Sequence, residues 1–143
     1  MAFGLLKKLG KSAKQVQNQN VMEAIIAGSM LIAAADGEIE KKEIDTLDKL
    51  LVNNELLSAF KPAEIRKTID RYAGILEAGF RVGKLKMLKE IGDISDNAEQ
   101  SEEVFVTALT IAEADGEIEP AELVVLKEIG RTLGINLANY DLA

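Results

Sequence analysis

The sequence contains no cysteine and no histidine. Those absences remove disulfides, thiol redox chemistry, cysteine nucleophiles, imidazole acid–base catalysis and the usual zinc ligands. A metal bound by these side chains must be held by oxygen, which selects calcium, magnesium or manganese. Tryptophan is absent, aromatics make up 4% and there are 2 prolines. No stretch alternates with period two over a useful length, so strands have no support. The longest apolar run, Val21 to Ala35, contains Glu23 and is too short to span a bilayer comfortably; it reads as a buried core helix. The first residues lack the uninterrupted apolar stretch and cleavage site of a secretory signal.

What remains is rich in Ala, Leu, Ile, Glu and Lys, the helix formers. The 143 residues are 48% hydrophobic, enough for one domain with a real core. Charge is uneven. Lys7, Lys8, Lys11 and Lys14 fall in a first stretch without acids, so the net −7 becomes −11 for the rest of the chain. An acidic body repels phosphates and argues against nucleic-acid binding.

The chain divides into a basic amphipathic segment, residues 1–19, and a helical domain, residues 20–143. In the first segment Phe3, Leu5, Leu6, Leu9, Ala13 and Val16 share one helical face and the lysines the other. Such a helix either lies on an anionic membrane surface or a partner, or packs on its own domain with its lysines in water. Asn20 to Ala35 follows, with Val21, Ile25, Met30, Leu31 and Ile32 facing the core and Gly37 as the capping residue. Lys41 to Val52 carries Ile44, Leu47, Leu50 and Leu51 on its apolar stripe and stops at Asn53-Asn54. Leu56, Leu57 and Phe60 form a short turn. Pro62 opens a helix with Ile65, Ile69, Tyr72, Ala73 and Leu76 inward. Gly79 and Gly83 bracket a break, and Leu85, Leu88 and Ile91 mark a short helix. Asp96 to Glu99 reads as a cap and capping-box acid for a helix burying Val104, Phe105, Ala108, Leu109 and Ile111. The last long helix runs from Pro120 to near Gly134, and Leu137, Tyr140 and Leu142 fold back as a tail. The fold class is all-α: a single globular bundle of roughly seven helices.

The most informative feature is a repeat. Ala35-Asp36-Gly37-Glu38-Ile39-Glu40 recurs 79 residues later as Ala114-Asp115-Gly116-Glu117-Ile118-Glu119. Upstream, Glu23 and Ile32-Ala33 correspond to Glu102 and Ile111-Ala112. Downstream, Glu43, Ile44 and Leu47 correspond to Glu122, Leu123 and Leu126. The chain therefore contains two copies of helix, acidic turn and helix, a pseudo-twofold internal repeat.

Each turn matches the second half of an EF-hand loop, with Asp36 at position 5 and Glu43 at position 12. The front half is missing. Positions 1 and 3 would be Ile32 and Ala34 in the first copy, and Ile111 and Glu113 in the second, so neither copy is a standard EF-hand. Glu43 and Glu122 also sit at capping-box spacing from Glu40 and Glu119, and acids in a first helical turn suit the helix dipole. Asp36 and Asp115 follow helix C-termini, where the dipole disfavours an anion by about 0.3–1 kcal/mol. They are explained either by a local hydrogen bond or nearby lysine, or by a cation. If the copies pack about a pseudo-twofold axis, Asp36, Glu40, Glu43, Asp115, Glu119 and Glu122 would offer hard oxygens from both halves. The carbonyls of Glu38 and Glu117 would add to them.

These paired Ala-Asp-Gly-x-Ile-x-x-x-Glu segments, Ala35 to Glu43 and Ala114 to Glu122, resemble the TerB tellurite-resistance family. The closing Glu128-Ile129-Gly130-Arg131-Thr132-Leu133-Gly134-Ile135 and the lysine-rich start resemble it too. The resemblance implies an all-helical, non-enzymatic protein of a bacterial stress system. It implies divalent cation association through the repeated acids, and work at the inner face of the cytoplasmic membrane with other tellurite-resistance proteins, including the membrane protein TerC. Both cap positions are Glu here, where several versions of the domain have Ser, Thr or Asp. Calcium is the first choice of ion, because several mobile carboxylates suit its flexible shell. The competing readings are a metal-independent interaction module and, last, an enzyme with paired carboxylates. Without a thiol or a redox-cofactor motif, direct reduction of tellurite has no support.

Overall fold

The computed structural model describes Val16, residues 18–114 and residues 116–142. Among these residues there are six α-helices and two short 3₁₀ turns, with no strand. The helices are α1 (Gln19–Ala33), α2 (Lys41–Val52), α3 (Pro62–Ala78), α4 (Phe80–Gly92), α5 (Ala98–Ala112) and α6 (Pro120–Leu133). The helix expected over residues 1–17 lies outside the described residues apart from Val16. Val16 is buried, and its N–H donates to the Leu56 carbonyl at 2.9 Å.

Helix α1 is the centre of the bundle. It packs against each of the other five helices, most extensively against α5. Its sequence permits this because almost no position is charged. Val21, Met22 and every residue from Ala24 to Ile32 are buried. Ser29, the polar exception, donates its hydroxyl to the Ile25 carbonyl at 2.8 Å, so burying it leaves no unsatisfied donor. Glu23 sits at the margin and meets Arg71 of α3 at 3.5 Å. Asn18 caps the helix through a bond from the Asn20 N–H to its side-chain oxygen at 2.8 Å.

The outer helices are amphipathic. Leu47 and Leu51 of α2 are buried, while Ile44 is only partly covered. Ile65, Ile69, Tyr72, Ala73 and Leu76 of α3 all face the core, as their spacing predicts. The buried Tyr72 hydroxyl donates to Glu90 of α4 at 3.1 Å. Burial first, and the Glu90 charge second, push that phenol up, so Tyr72 stays a neutral donor. The tail forms a 3₁₀ turn, Leu137–Tyr140, whose Tyr140 ring lies 5.0 Å from Phe105.

Two expectations are corrected. Helix α4 runs unbroken from Phe80 through Gly92, so Gly83 breaks nothing. Gly83 is buried against α3, where an added Cβ would fall 2.9 Å from the Ile75 carbonyl oxygen. It is a close-approach residue, and only Gly79 separates the two helices. Leu85 is 71% exposed, because α4 turns Gly83, Met87 and Ile91 inward. The cap of α5 is Asn97, whose side-chain oxygen accepts the Gln100 N–H at 3.0 Å, one residue later than expected.

One titration deserves a test. Burial, with Glu99 one turn away, pushes the Glu103 carboxyl of α5 above its ordinary value. Between the unfolded and folded values the native state binds more protons, so stability falls as pH rises through that window. Glu103→Gln removes the penalty. Its stability in urea should exceed the native protein's at about pH 7 and match it at about pH 3. A gain equal at both pH values would place its origin elsewhere.

Candidate functional site: the repeated acidic turns

Both turns are built alike. Helix α1 ends at Ala33, and its cap, Ala34, donates to the Met30 carbonyl at 2.9 Å. The chain then tightens: the Ala35 N–H meets the Ile32 carbonyl at 3.2 Å and the Gly37 N–H meets the Ala34 carbonyl at 2.9 Å. After α5, Ala114 bonds Ile111 at 3.2 Å and Gly116 bonds Glu113 at 2.9 Å. Gly37 has φ 96° and Gly116 φ 95°. Each glycine therefore lies at the turn itself, three residues past the cap, rather than capping the helix as expected. The left-handed residue is displaced because the tightened hydrogen bonds carry the chain one further turn before it reverses.

The turns then deliver extended caps. Glu40 (φ −86°, ψ 152°) precedes α2, and Glu119 (φ −70°, ψ 153°) precedes α6. Glu43 accepts the Glu40 N–H at 3.1 Å, and Glu122 accepts the Glu119 N–H at 2.9 Å. Ile39 and Ile118, one residue before each cap, pack partly buried against the core. These apolar anchors hold each turn on the bundle while its acids stay outside.

The predicted site residues fall as follows. Asp36, Glu40 and Glu119 are exposed, and Glu43 and Glu122 are half-buried. One Asp36 oxygen accepts the Glu38 N–H at 3.1 Å. This is the local hydrogen bond that explains an Asp beside the turn glycine. Asp115 lies outside the described residues. Among the described residues no group of three or more carboxylates is placed to hold a metal ion.

A cavity of about 400 Å³ adjoins the first turn, lined by Ala34, Gly37, Glu38, Glu40, Glu77 and Phe80 among others. Glu77 and Phe80 come from the junction of α3 and α4. No sequence signal joins them to the turn, because only the packing of α1 against α3 brings that junction there. Glu77 is thus a further acid beside the turn that the repeat does not contain.

The described region matches a known family. The model for the tellurite resistance protein TerB matches residues 22–143. That span covers both acidic turns, all of α2 to α6 and the tail. No curated protein and no solved structure gives a significant match.

Proposed function

Because the chain belongs to the TerB family, we propose that it is a non-enzymatic stress-response adaptor. In this reading it takes divalent cations, calcium first, at its two acidic turns. It works in the cytoplasm beside the membrane, with other tellurite-resistance proteins and the membrane protein TerC as partners. The observation that supports this reading is the repeated geometry: two glycine turns of equal φ, each followed by a Glu cap and a half-buried Glu. A cation bound at such a turn would offset whatever repulsion its neighbouring carboxylates exert. No helix of the described residues is long and apolar enough to cross a membrane. Membrane proximity therefore rests on the family and on the basic first segment, residues 1–17.

The donor set suits a hard cation, since every candidate atom is a carboxylate or carbonyl oxygen. The grouping suits a hydrated ion rather than a closed cage, because no three described carboxylates converge. The candidate acids are Asp36, Glu40 and Glu43 at the first turn and Asp115, Glu119 and Glu122 at the second; at the first turn no more than two of them would reach one ion directly, with water completing its shell. The ion would supply positive charge between neighbouring carboxylates and fix the turn for a partner.

A second reading has its own observation. Asp36, Glu43 and Glu122 already accept backbone N–H bonds, which gives each a structural role without metal. The turns would then be docking surfaces in themselves.

Titration calorimetry of chelator-stripped protein with calcium, then magnesium, separates the two. Asp36→Asn plus Asp115→Asn is the variant of choice, because the amide keeps an oxygen for the Glu38 N–H while removing both charges. Saturable heat in the native protein, lost in this variant, is the expected result. No saturable heat in the native protein would sink the cation reading and leave the interaction module.

A further inference from the structure

Helix α4 is out of character with the rest of the domain. In an acidic chain it carries Arg81, Lys84, Lys86 and Lys89 against the single acid Glu90. Its outer face is Val82, Leu85, Lys86 and Lys89, which lie within about 100° of one another at helical spacing. Val82 is 63% exposed and Leu85 71%. Lys84 is tied to Glu128 of α6 at 3.1 Å. Arg81, Lys86 and Lys89 make no ion pair among the described residues. Beside this face lies a groove of about 490 Å³ between α3 and α4, lined by Gly74, Ile75, Ala78, Gly79, Val82 and Lys86 among others. At Gly74 and Gly79 a Cβ would meet nothing within 4 Å, so the groove floor is open.

We propose that this groove docks an acidic, amphipathic helix of a partner protein, with its apolar anchors on Ile75, Ala78 and Val82 and a carboxylate on Lys86, while Leu85 and Lys89 extend the contact along the adjoining outer face of α4. Three arguments select that occupant. A second copy pairing the same face would set Lys86 and Lys89 against their own kind, so self-association through α4 is opposed. The chain's own first fifteen residues carry four lysines and no acid, so they offer no carboxylate to Lys86 or Lys89. A bilayer surface matches the lysines but not the concave floor, whereas an amphipathic helix fills a groove and presents anchors at matching spacing. The proposal is separate from the acidic turns: the residue that borders both regions of α3, Glu77, lines the cavity of the first turn and not this groove.

The test uses the full chain, ¹⁵N-labelled, and a synthetic acidic helical peptide of about eighteen residues with Leu at every third and fourth position and Glu between. A control peptide replaces each Glu by Lys, and vesicles of phosphatidylglycerol and phosphatidylcholine form a third arm. The acidic peptide should bind saturably, shifting amide signals from residues 74 to 89. Affinity should fall about tenfold in Val82→Ser plus Leu85→Ser, whose positions are exposed and leave the core intact. It should also weaken between about 0.05 and 0.3 M salt. No binding of the acidic peptide, equal binding of both peptides, or shifts confined to other residues would overturn the proposal. So would vesicle binding that depends on Val82 and Leu85 while the peptide is ignored.

Discussion

Phe105→Ala is expected to lower folding stability by about 3–5 kcal/mol, among the largest effects of a single truncation in this protein. Phe105 is fully buried on α5, among the largest such side chains of the core. Its neighbours cannot close the space easily. On one side is Gly130 of α6, where an added Cβ would come 3.0 Å from the Phe105 ring and 2.6 Å from Leu137. On another is the Tyr140 ring, tilted at 58°. The phenyl ring is thus the platform on which α6 and the C-terminal tail meet α5. Removing it loses the transfer free energy of the ring and leaves a cavity bounded by three separate elements. Urea unfolding gives the magnitude. Hydrogen exchange gives the location: the Leu142 N–H, bonded to the Leu137 carbonyl at 3.0 Å, should exchange faster than amides of α1. Val124→Ala serves as the reference, since that side chain is 59% exposed and should change stability by no more than about 0.5 kcal/mol. A Phe105→Ala loss as small as that of Val124→Ala would contradict the packing described.

Gly37→Ala and Gly116→Ala should each cost about 1–2 kcal/mol, and the double variant about 2–4 kcal/mol. Neither position is short of space, because a Cβ would meet nothing within 4 Å. The cost comes from the backbone alone. At φ 96° and 95° an L side chain is strained against its own main chain. This separates conformation from packing, and it probes the internal repeat directly. Equal losses at the two sites, adding in the double variant, are the expected result from denaturant melts of all three proteins. A loss at one site and none at the other would show that the two turns are not equivalent in solution. The measurement also bears on the site: if the turn backbone presents the acids, calcium titration of the double variant should weaken together with stability.

The repeat was legible because it is written in residue types with narrow physical roles. Gly37 and Gly116 mark left-handed turns, Pro120 an early helical position, and Glu43 and Glu122 capping acids. Each role depends on contacts within a few residues. The same locality explains why Ile65, Ile69, Tyr72, Ala73 and Leu76 could be placed in the core from spacing alone. The bundle's family followed from the same motifs, since the TerB match spans residues 22–143 and includes both turns.

Other features depended on which faces meet. Leu85 carries the same hydropathy as Leu88, and the sequence shows only that both belong to a helix, not which of them meets the core. Gly83 settles it: α4 approaches Ile75 closely there, so Met87 and Ile91 enter the core and Leu85 points to water. Glu77 and Phe80 reach the first acidic turn only because α1 and α3 pack together. The sequence by itself determined the helical class, the duplicated turns, their caps and an oxygen-only set of candidate ligands, because these rest on local backbone chemistry and on residue types present or absent. Tertiary structure alone decided that α1 lies at the centre, that no three described carboxylates converge and that α4 presents a basic apolar face. Those outcomes follow from the relative rotation and approach of helices distant in the chain, which no local pattern encodes.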